Sequence, residues 1–469
     1  TATSRIHQMV EDLFTCWQDN LQPELEKKGF HFHKIASISN QNKQWLDKYF
    51  IEKVQPVLTP LAVDPSKTFP LILNKSLNVI AKVQSKGTNE SAARLCIVQV
   101  PQIIPRLVQL PHGNSNHEYV FLADVISHYL EKLFPGNQIV GSWRFRVTRN
   151  SELYVDEEDA NNILKAVENE LRNRRRGDAV RLEVDIDTPE DLVSELLEKL
   201  ELSQEDLYRI NGPVNPIHLS GLLEGDHSPE LRHDRFIPKP SPAFLSSETI
   251  FETIKTQDVL LHHPYQSFDH VVTLLEQAAE DPKVLAIKQT LYRTGKDSRI
   301  ANALMRAAQN GKQVAVVMEL KARFDEASNI RWAREFEEAG IHVSYGILGY
   351  KVHCKLCMIV REEDGGLNRY LHLATGNYNP ATAKLYTDFG LMTCQPDFGE
   401  DVARVFNLLT GFCEFEGTDK LIVAPFDFQT RILELIHRET EHAKKNNPAR
   451  IIAKMNALVD KPVIEALYA

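Results

Sequence analysis

A histidine and a lysine two residues apart, His353 and Lys355, are the side chains of this sequence best suited to chemistry. They lie in the apolar run YKVHCKLCMIV (residues 350–360), which favours a β-strand. Because strand side chains alternate, His353 and Lys355 are expected on one face, with Val352 and Cys354 on the other. A neutral imidazole can attack phosphorus while an ammonium neutralises phosphoryl oxygens. A half-buried histidine in a sheet is the alternative interpretation, and spacing alone does not decide between them.

A turn rich in small and amide residues follows this pair along the chain. In LHLATGNYNPATAKLYTDFG (residues 371–390), a predicted strand ends at Thr375, Gly376, Asn377 and Asn379. Such a turn exposes backbone N–H groups and an amide side chain, which suit the orientation of a histidine or an oxyanion. We therefore expect this turn to form part of the site.

Length and composition indicate the elements that must position these residues. A chain of 469 residues exceeds the size of one core, so about two to four domains are expected. Hydrophobic residues make up 43% and charged residues 25%, a composition typical of globular proteins. No apolar run reaches the roughly 18 residues of a membrane span, and the start, TATSRIHQMVEDLF, lacks signal-peptide order. A cytoplasmic protein with free cysteines is the expectation.

The chain divides into segments of different pattern. An amphipathic helix is predicted near the start, and an α+β segment follows, in which YVFLADVI (residues 119–126) is one predicted strand. The proline-rich stretch HDRFIPKPSP (residues 233–242) predicts a linker. Beyond it, predicted helices at 267–281, 298–311 and 328–340 alternate with strands, which indicates parallel βαβ units.

The motif HCK followed by the downstream turn resembles the phospholipase D superfamily, although the Asp that many members place five residues after the lysine is Val360 here. Four ordered blocks then resemble polyphosphate kinases: AIKQTLYRTGKDSRI, VVMELKARFDEASNI, GYKVHCKLCMIV and ATGNYNPATAKLYTDFG. The similarity continues through HHPYQSFDHV and NALVDKPVIEALYA, so it covers essentially the whole chain.

This resemblance implies a multidomain α/β and α+β fold. It divides the chain into a remnant of an N-terminal helical domain (1–29), a head domain (30–238), a first phospholipase D-like catalytic domain (239–420) and the beginning of a second (421–469). It also implies that most of two domains of the family lies outside this sequence. We therefore expect the chain alone to be unable to complete a turnover.

The implied activity is reversible transfer of the terminal phosphate of ATP to inorganic polyphosphate through a phosphohistidine. The resemblance assigns the phosphohistidine to His353, with Lys355 and Asn377 in support, and a nucleotide contact to Tyr386. It assigns Arg293 and Arg323 to the neighbourhood of Mg²⁺ and phosphate.

Arginine cannot itself bind a cation, because its guanidinium has donors and no lone pair. We therefore interpret Arg293 and Arg323 as clamps on the phosphate beside the metal. Lys288, Arg299 and Lys351 are further candidates for lining a polyanion tunnel, against the alternative of ordinary solvated cations.

Two other functions are weighed against the kinase: a phosphodiesterase of the phospholipase D type, and a catalytically silent fragment that binds polyanions. The net charge of −10 argues weakly against a nucleic-acid partner. ATP, ADP and polyphosphate are the expected partners, and the resemblance adds a homodimer or homotetramer. Any membrane association would be peripheral, at the inner face.

The pair Cys354 and Cys357 forms a C-x-x-C motif that could suggest zinc or redox chemistry. On a strand the two side chains point to opposite faces, and no second pair follows at zinc-ribbon spacing. Metal binding there is not expected.

Overall fold

The computed structural model of the chain describes residues 1–64, 69–86, 93–113, 117–150, 163–173, 177–223, 229–234, 236–245, 247–295, 298–322, 325–347, 349–411, 413–455 and 457–469. Contacts divide the chain into two compact units: unit 1 comprises residues 1–152 and 172–234, and unit 2 comprises residues 153–171 and 235–469. The observed mixture of sheets and helices in more than one unit confirms the predicted multidomain α/β and α+β class.

The α-helices are α1 (Ala2–Thr15), α2 (Gln22–Lys27), α3 (Asn40–Tyr49), α4 (Leu122–His128), α5 (Leu130–Leu133), α6 (Ile163–Asn173), α7 (Glu190–Leu200), α8 (Ile250–Thr256), α9 (Asp269–Glu280), α10 (Arg299–Gln309), α11 (Glu326–Glu338), α12 (Pro396–Thr410), α13 (Phe428–Lys444) and α14 (Lys461–Tyr468). Within the described ranges, no helix combines the length and the apolar character that crossing a membrane requires.

The strands are β1 (Phe30–Phe32), β2 (Pro60–Val63), β3 (Leu77–Ser85), β4 (Arg94–Gln99), β5 (Leu107–Gln109), β6 (His117–Phe121), β7 (Asn137–Arg149), β8 (Ala179–Asp185), β9 (Leu207–Ile210), β10 (Val259–His263), β11 (Val284–Leu291), β12 (Gln313–Met318), β13 (His342–Ser344), β14 (Lys355–Glu363), β15 (Gly366–Ala374) and β16 (Asp388–Thr393).

Unit 1 contains a six-stranded sheet in the order β2-β4-β3-β7-β8-β9 and a three-stranded sheet in the order β1-β6-β5. Helix α7 buries Leu192, Leu196 and Leu200 at helical spacing, in one cluster with Leu182 and Val184 of β8. The predicted strand over residues 119–126 is wrong in its second half, because β6 ends at Phe121 and α4 begins at Leu122. Four buried residues of α4 pack into the core there: Leu122, Ala123, Val125 and Ile126.

Unit 2 is built on a seven-stranded sheet in the order β10-β16-β15-β14-β11-β12-β13. The predicted parallel βαβ units are observed, since β11 pairs with β12 and β12 pairs with β13 in parallel. Strand β14 instead runs antiparallel between β11 and β15, so the sheet is mixed. Helix α10 follows its predicted pattern: Ser298 caps its start, and Ile300, Ala303 and Leu304 are buried.

The two faces of this sheet are covered by different helices. One face packs with α8 to α11 in a cluster that includes Ile287, Leu304 and Phe336. The other packs with α12 through Val402 and Phe406.

Helix α6 contributes Val167 to the first of these clusters, so contacts group it with unit 2 although its sequence position lies within the predicted head domain. The predicted domain bounds at 238/239 and 420/421 stay predictions.

Candidate active site

His353 lies immediately before the central strand of the unit 2 sheet. The predicted strand across residues 350–360 is wrong at its start, because β14 begins at Lys355. The expected division of faces is nevertheless observed along the run: Val352, Leu356 and Met358 pack in the cluster beside α12. His353 itself is exposed, as a nucleophile must be if a substrate is to reach it.

The carboxylate of Glu319 binds the segment that precedes Lys355. Glu319 is 6% exposed, just past the end of β12, and its Oε2 accepts a hydrogen bond of 2.9 Å from the backbone N–H of Val352. Its Oε1 accepts from the N–H of Lys321 at 2.8 Å. The N–H of Val352 is therefore bound to a side chain instead of a neighbouring strand, which fixes the segment that carries His353. Sequence reasoning missed Glu319.

Three cations surround the imidazole of His353. The ring of Tyr292 stands edge-to-face with His353 at 5.5 Å, and the cationic groups of Arg293, Lys351 and Lys355 lie 5.4, 5.6 and 5.4 Å from the centre of the same ring. Burial, followed by the charges of Lys355, Lys351 and Arg293, lowers the pKa of His353. The neutral imidazole, which has the lone pair that nucleophilic attack requires, is therefore favoured.

Lys355 is the buried member of this group, at 5% exposure. Its Nζ donates a hydrogen bond to the backbone carbonyl of His353. Burial lowers the pKa of Lys355 to about 8, while the carboxylate of Asp388 opposes that shift. The ammonium remains mostly charged at neutral pH, and its charge acts on the imidazole of His353.

Arg293 is held in an unusual backbone conformation. Its φ is +57°, in the left-handed region that costs a residue with a side chain about 1 kcal/mol. The side-chain amide of Asn379 donates to the Arg293 carbonyl at 2.8 Å, which supports this turn. The Arg293 Nε lies 3.8 Å from Asp325 Oδ2 and makes no hydrogen bond with the described residues. The guanidinium thus retains donors for a phosphate.

The predicted turn follows β15 and contacts Asp388, the carboxylate that acts on Lys355. Thr375 donates to Asp388 at 2.8 Å, and a Cβ placed on Gly376 would lie 2.6 Å from an oxygen of the same carboxylate, so this position requires glycine. The Oδ1 of Asn377 is buried and accepts no hydrogen bond from the described residues. Asn377 is therefore a half-buried amide with an acceptor to spare, which suits its expected supporting role.

A buried histidine, His372, forms a hydrogen bond with Tyr378 of this turn. The hydroxyl of Tyr378 lies 2.9 Å from Nδ1 of His372, and both side chains are almost fully buried. Burial lowers the pKa of His372 to about 3, so its ring is neutral. Tyr378 and His372 therefore anchor the turn that contains Asn377.

Three other predicted residues within the described ranges, Tyr386, Lys288 and Arg299, have surroundings different from those of the cations around His353. Tyr386 is 59% exposed. Lys288 is half-buried on β11, and burial followed by the charge of Arg369 lowers its pKa. Arg299 pairs with Asp269 and Glu276, which satisfies its charge away from the group. Arg323 lies outside the described residues.

The described residues do not form a protein-only metal site. No three His, Cys, Asp or Glu side chains among them come close enough together to hold an ion. Asp325 is the carboxylate next to Arg293, and burial raises its pKa. One carboxylate beside an arginine fits Mg²⁺ bound jointly by a protein oxygen and phosphate oxygens, a common arrangement for this cation.

Cys354 and Cys357 lie in different layers, as expected for a strand. Cys354 packs with the cluster beside α12, and Cys357 with the cluster on the opposite face of the sheet. Burial raises the pKa of Cys354 to about 11 and that of Cys357 further, so both are thiols.

The fold and this site define a class: a multidomain protein in which a mixed sheet presents a neutral histidine among cations, beside a turn of small and amide residues. Three family models match the chain: polyphosphate kinase middle domain over residues 41–222, C-terminal domain 1 over 249–415 and C-terminal domain 2 over 421–469.

Polyphosphate kinases of Neisseria meningitidis serogroup B and Burkholderia multivorans are 44% and 45% identical, in alignments that cover 99% of this chain and 68% of each relative. The crystal structure of polyphosphate kinase from Porphyromonas gingivalis matches with a TM-score of 0.84 at 30% identity, covering 100% of this chain and 69% of that one. The chain belongs to the polyphosphate kinase family.

Proposed function

We propose that this chain carries the phosphorylated histidine, His353, of an enzyme that transfers the terminal phosphate of ATP reversibly to inorganic polyphosphate. The observation that carries the proposal is the exposed imidazole of His353 among Lys351, Lys355 and Arg293, with a pKa that these cations and burial lower. Phosphoryl transfer depends mainly on positioning and charge neutralisation, which this group supplies.

The reaction has two balanced halves. An imidazole nitrogen of His353 attacks the γ-phosphorus of ATP, the bond from that phosphorus to the β–γ bridging oxygen breaks, and ADP leaves with the electron pair. A terminal oxygen of polyphosphate then attacks the phosphohistidine, the P–N bond breaks and the neutral imidazole returns. Mg²⁺ enters with the nucleotide as part of the substrate.

The remaining residues have supporting roles in this proposal. Lys355 and Arg293 neutralise the transferred group, and Arg323 is a second phosphate clamp. Asn377 orients the imidazole or an oxyanion with its half-buried amide. Tyr386, whose ring is exposed, contacts the nucleotide.

Assembly and location complete the proposal. We expect a homodimer or homotetramer, in the cytoplasm or peripherally at the inner face of the membrane. Multi-angle light scattering of the purified chain tests the assembly, and a monomer at all concentrations would contradict it.

The phosphodiesterase alternative gains no support from the site. Val360, at the position where many phospholipase D proteins have Asp, packs against the apolar cluster beside α12. The position therefore supplies no carboxylate to the chemistry.

The test is the intact mass of the chain after incubation with Mg²⁺ and [γ-³²P]ATP, beside the His353→Ala variant. A phosphoramidate is labile in acid and stable in alkali, so an acid-labile phosphate that requires His353 is the expected result. Label that persists in His353→Ala would overturn the assignment of the nucleophile. Polyphosphate binding without any phosphorylation would instead support the silent polyanion-binding alternative.

A further inference from the structure

Arg106 of unit 1 is a buried cation with an unsatisfied nitrogen, Nη1, among the described residues. The residue is 9% exposed, and its Nη1 is buried and makes no hydrogen bond within the described part of the chain. Burial lowers its pKa to about 10, so the guanidinium is still charged at neutral pH. A charge buried without a counter-ion is costly, so an anion that binds Arg106 would offset part of this cost.

Arg106 lines a small cavity together with Arg144, Asn215 and His218. The cavity measures about 20 Å³, which is room for about one water-sized atom. Arg106 and His218 also line an open groove of about 900 Å³, whose polar wall includes Gln102 and Gln109. One oxygen of an oxyanion group therefore fits the cavity, while the remainder of the ligand occupies the groove.

The positive charge of Arg106 is not compensated by the described residues that line the cavity. Arg144 is paired with Asp124 at 2.6 Å and with Asp185 at 2.8 Å. Neither the cavity nor the groove has an Asp or Glu among its described lining residues. The available positive charge at this wall is consequently that of Arg106.

Asn215 holds His218 at the cavity wall. Its Nδ2 lies 2.8 Å from His218 Nε2, and its Oδ1 accepts from Arg146 at 3.2 Å. Asn215 is buried with a φ of +67°, a left-handed conformation whose cost the surrounding structure must offset. When Asn215 donates to Nε2, the neutral His218 ring has its remaining N–H at Nδ1. Strain of this kind is typical of residues that position a binding group.

We propose that Arg106 and His218 form a binding site in unit 1 for an oxyanion of the phosphate class, either orthophosphate or a phosphoryl group of a polyphosphate chain. The guanidinium supplies the charge and the fork of donors, and the imidazole supplies a neutral donor. This site shares no residue with the group around His353 and does not rest on the proposed transfer reaction.

Hydrogen–deuterium exchange of the 469-residue chain, with and without orthophosphate or tripolyphosphate, tests the site locally. We expect slower exchange in peptides that cover residues 101–109 and 213–221. Protection by both compounds indicates a site for single phosphates, and protection by tripolyphosphate alone indicates a site for the chain form. Equilibrium dialysis gives the affinities.

Arg106→Met should abolish this local protection and weaken the corresponding affinity about 10- to 100-fold, because a charge-assisted bond is lost. It should not lower the melting temperature without phosphate, since the variant removes an unpaired buried charge. Arg94→Met replaces an exposed arginine of β4 as the control and should change neither result. His218→Phe, which keeps the aromatic bulk, should weaken binding to a smaller degree.

Three results would overturn the proposal: no protection of these peptides in the unmodified chain, equal protection in Arg106→Met, or a change in oligomeric mass in Arg106→Met without a change in phosphate binding. The last would mean that a second copy of the chain covers Arg106. Labelling of His353 is measured separately, so failure here leaves the proposed reaction untouched.

Discussion

Burial is the main cause of the lowered pKa of His353, and the charges of Lys355, Lys351 and Arg293 lower it further. The same cations that favour the neutral nucleophile also attract the phosphate that it would attack. Two requirements of phosphoryl transfer, a free lone pair and a neutralised electrophile, are thus met by one set of charges.

Lys355→Met should shift the pH dependence of His353 phosphorylation. Loss of the ammonium raises the pKa of His353, so the rate should begin to fall at a higher pH on the acid side. On the alkaline side, the unmodified chain should lose activity as pH rises through about 8, where Lys355 deprotonates, and the variant should lack this decline. We also expect a rate about 100-fold lower, measured by single-turnover ³²P labelling between pH 5 and pH 10.

The control for this series is Lys283→Met, which removes an exposed lysine just before β11. Its profile should match that of the unmodified chain. An acid limb that stays in place in Lys355→Met would show that Lys355 does not act on His353.

Sequence reasoning could find His353 and Lys355 because their chemistry is encoded in adjacent positions. It could not find Glu319 or Asp388, since each reaches the site only through the sheet. Glu319 binds the N–H of a residue 33 positions away, and Asp388 acts on Lys355 from β16. Neither contact leaves a local pattern.

At the level of elements, the segment before β14 is a short piece of chain whose backbone N–H at Val352 donates to Glu319 instead of to a neighbouring strand. The geometry of His353 therefore depends on the end of β12, a different strand. This dependence gives Glu319 a positioning role, because its contacts are to backbone N–H groups.

Glu319→Gln should lower the rate constant of His353 phosphorylation with little change in the KM for ATP. The amide keeps the volume of the side chain but replaces one acceptor with a donor that faces an N–H group. The free energy of unfolding in urea should fall by about 1–3 kcal/mol for the lost buried hydrogen bond.

Glu362→Gln, at an exposed position of β14, is the matched control and should have neither effect. Glu319→Asp keeps both acceptors on a shorter side chain and should restore part of the rate. A larger KM with an unchanged rate constant would contradict the positioning role.

The elements themselves were largely predictable where hydrophobic period and capping agreed. Helices α9, α10 and α11 and strands β11 and β12 follow their predicted patterns closely. The start of β14 was not predictable. The apolar alternation continues through residues 350–354, but these residues precede the strand, and the N–H of Val352 binds the Glu319 carboxylate. The change from strand to helix after Phe121 was not predicted, because a buried apolar run is compatible with either element.

For the whole molecule, a net charge of −10 coexists with a local group of cations, Arg293, Lys351 and Lys355, for which we propose a polyanion ligand. The electric field at a site depends on the arrangement of nearby charges more than on the net charge of the protein, so an acidic protein can bind phosphate chains. The attraction is nevertheless electrostatic and is therefore sensitive to salt.

Binding of tripolyphosphate at the His353 group should weaken steeply with salt. If Arg293, Lys351 and Lys355 each displace a counter-ion, the slope of log affinity against log salt is about −2 to −3, which weakens binding roughly 15- to 60-fold between 50 and 200 mM. Calorimetry on the Arg106→Met chain isolates this group from the proposed site of unit 1. Lys355→Met should reduce the slope by about 1, and a salt-independent affinity would contradict the electrostatic account.

Arg293 combines a left-handed backbone with a guanidinium that still has donors to spare. In a laboratory selection for heat resistance alone, glycine would be favoured at this position, because it adopts the same φ without the steric cost. Selection for catalysis would retain arginine in spite of that cost. Libraries evolved under the two pressures should therefore diverge at residue 293, and the direction of the divergence would report which demand the position serves.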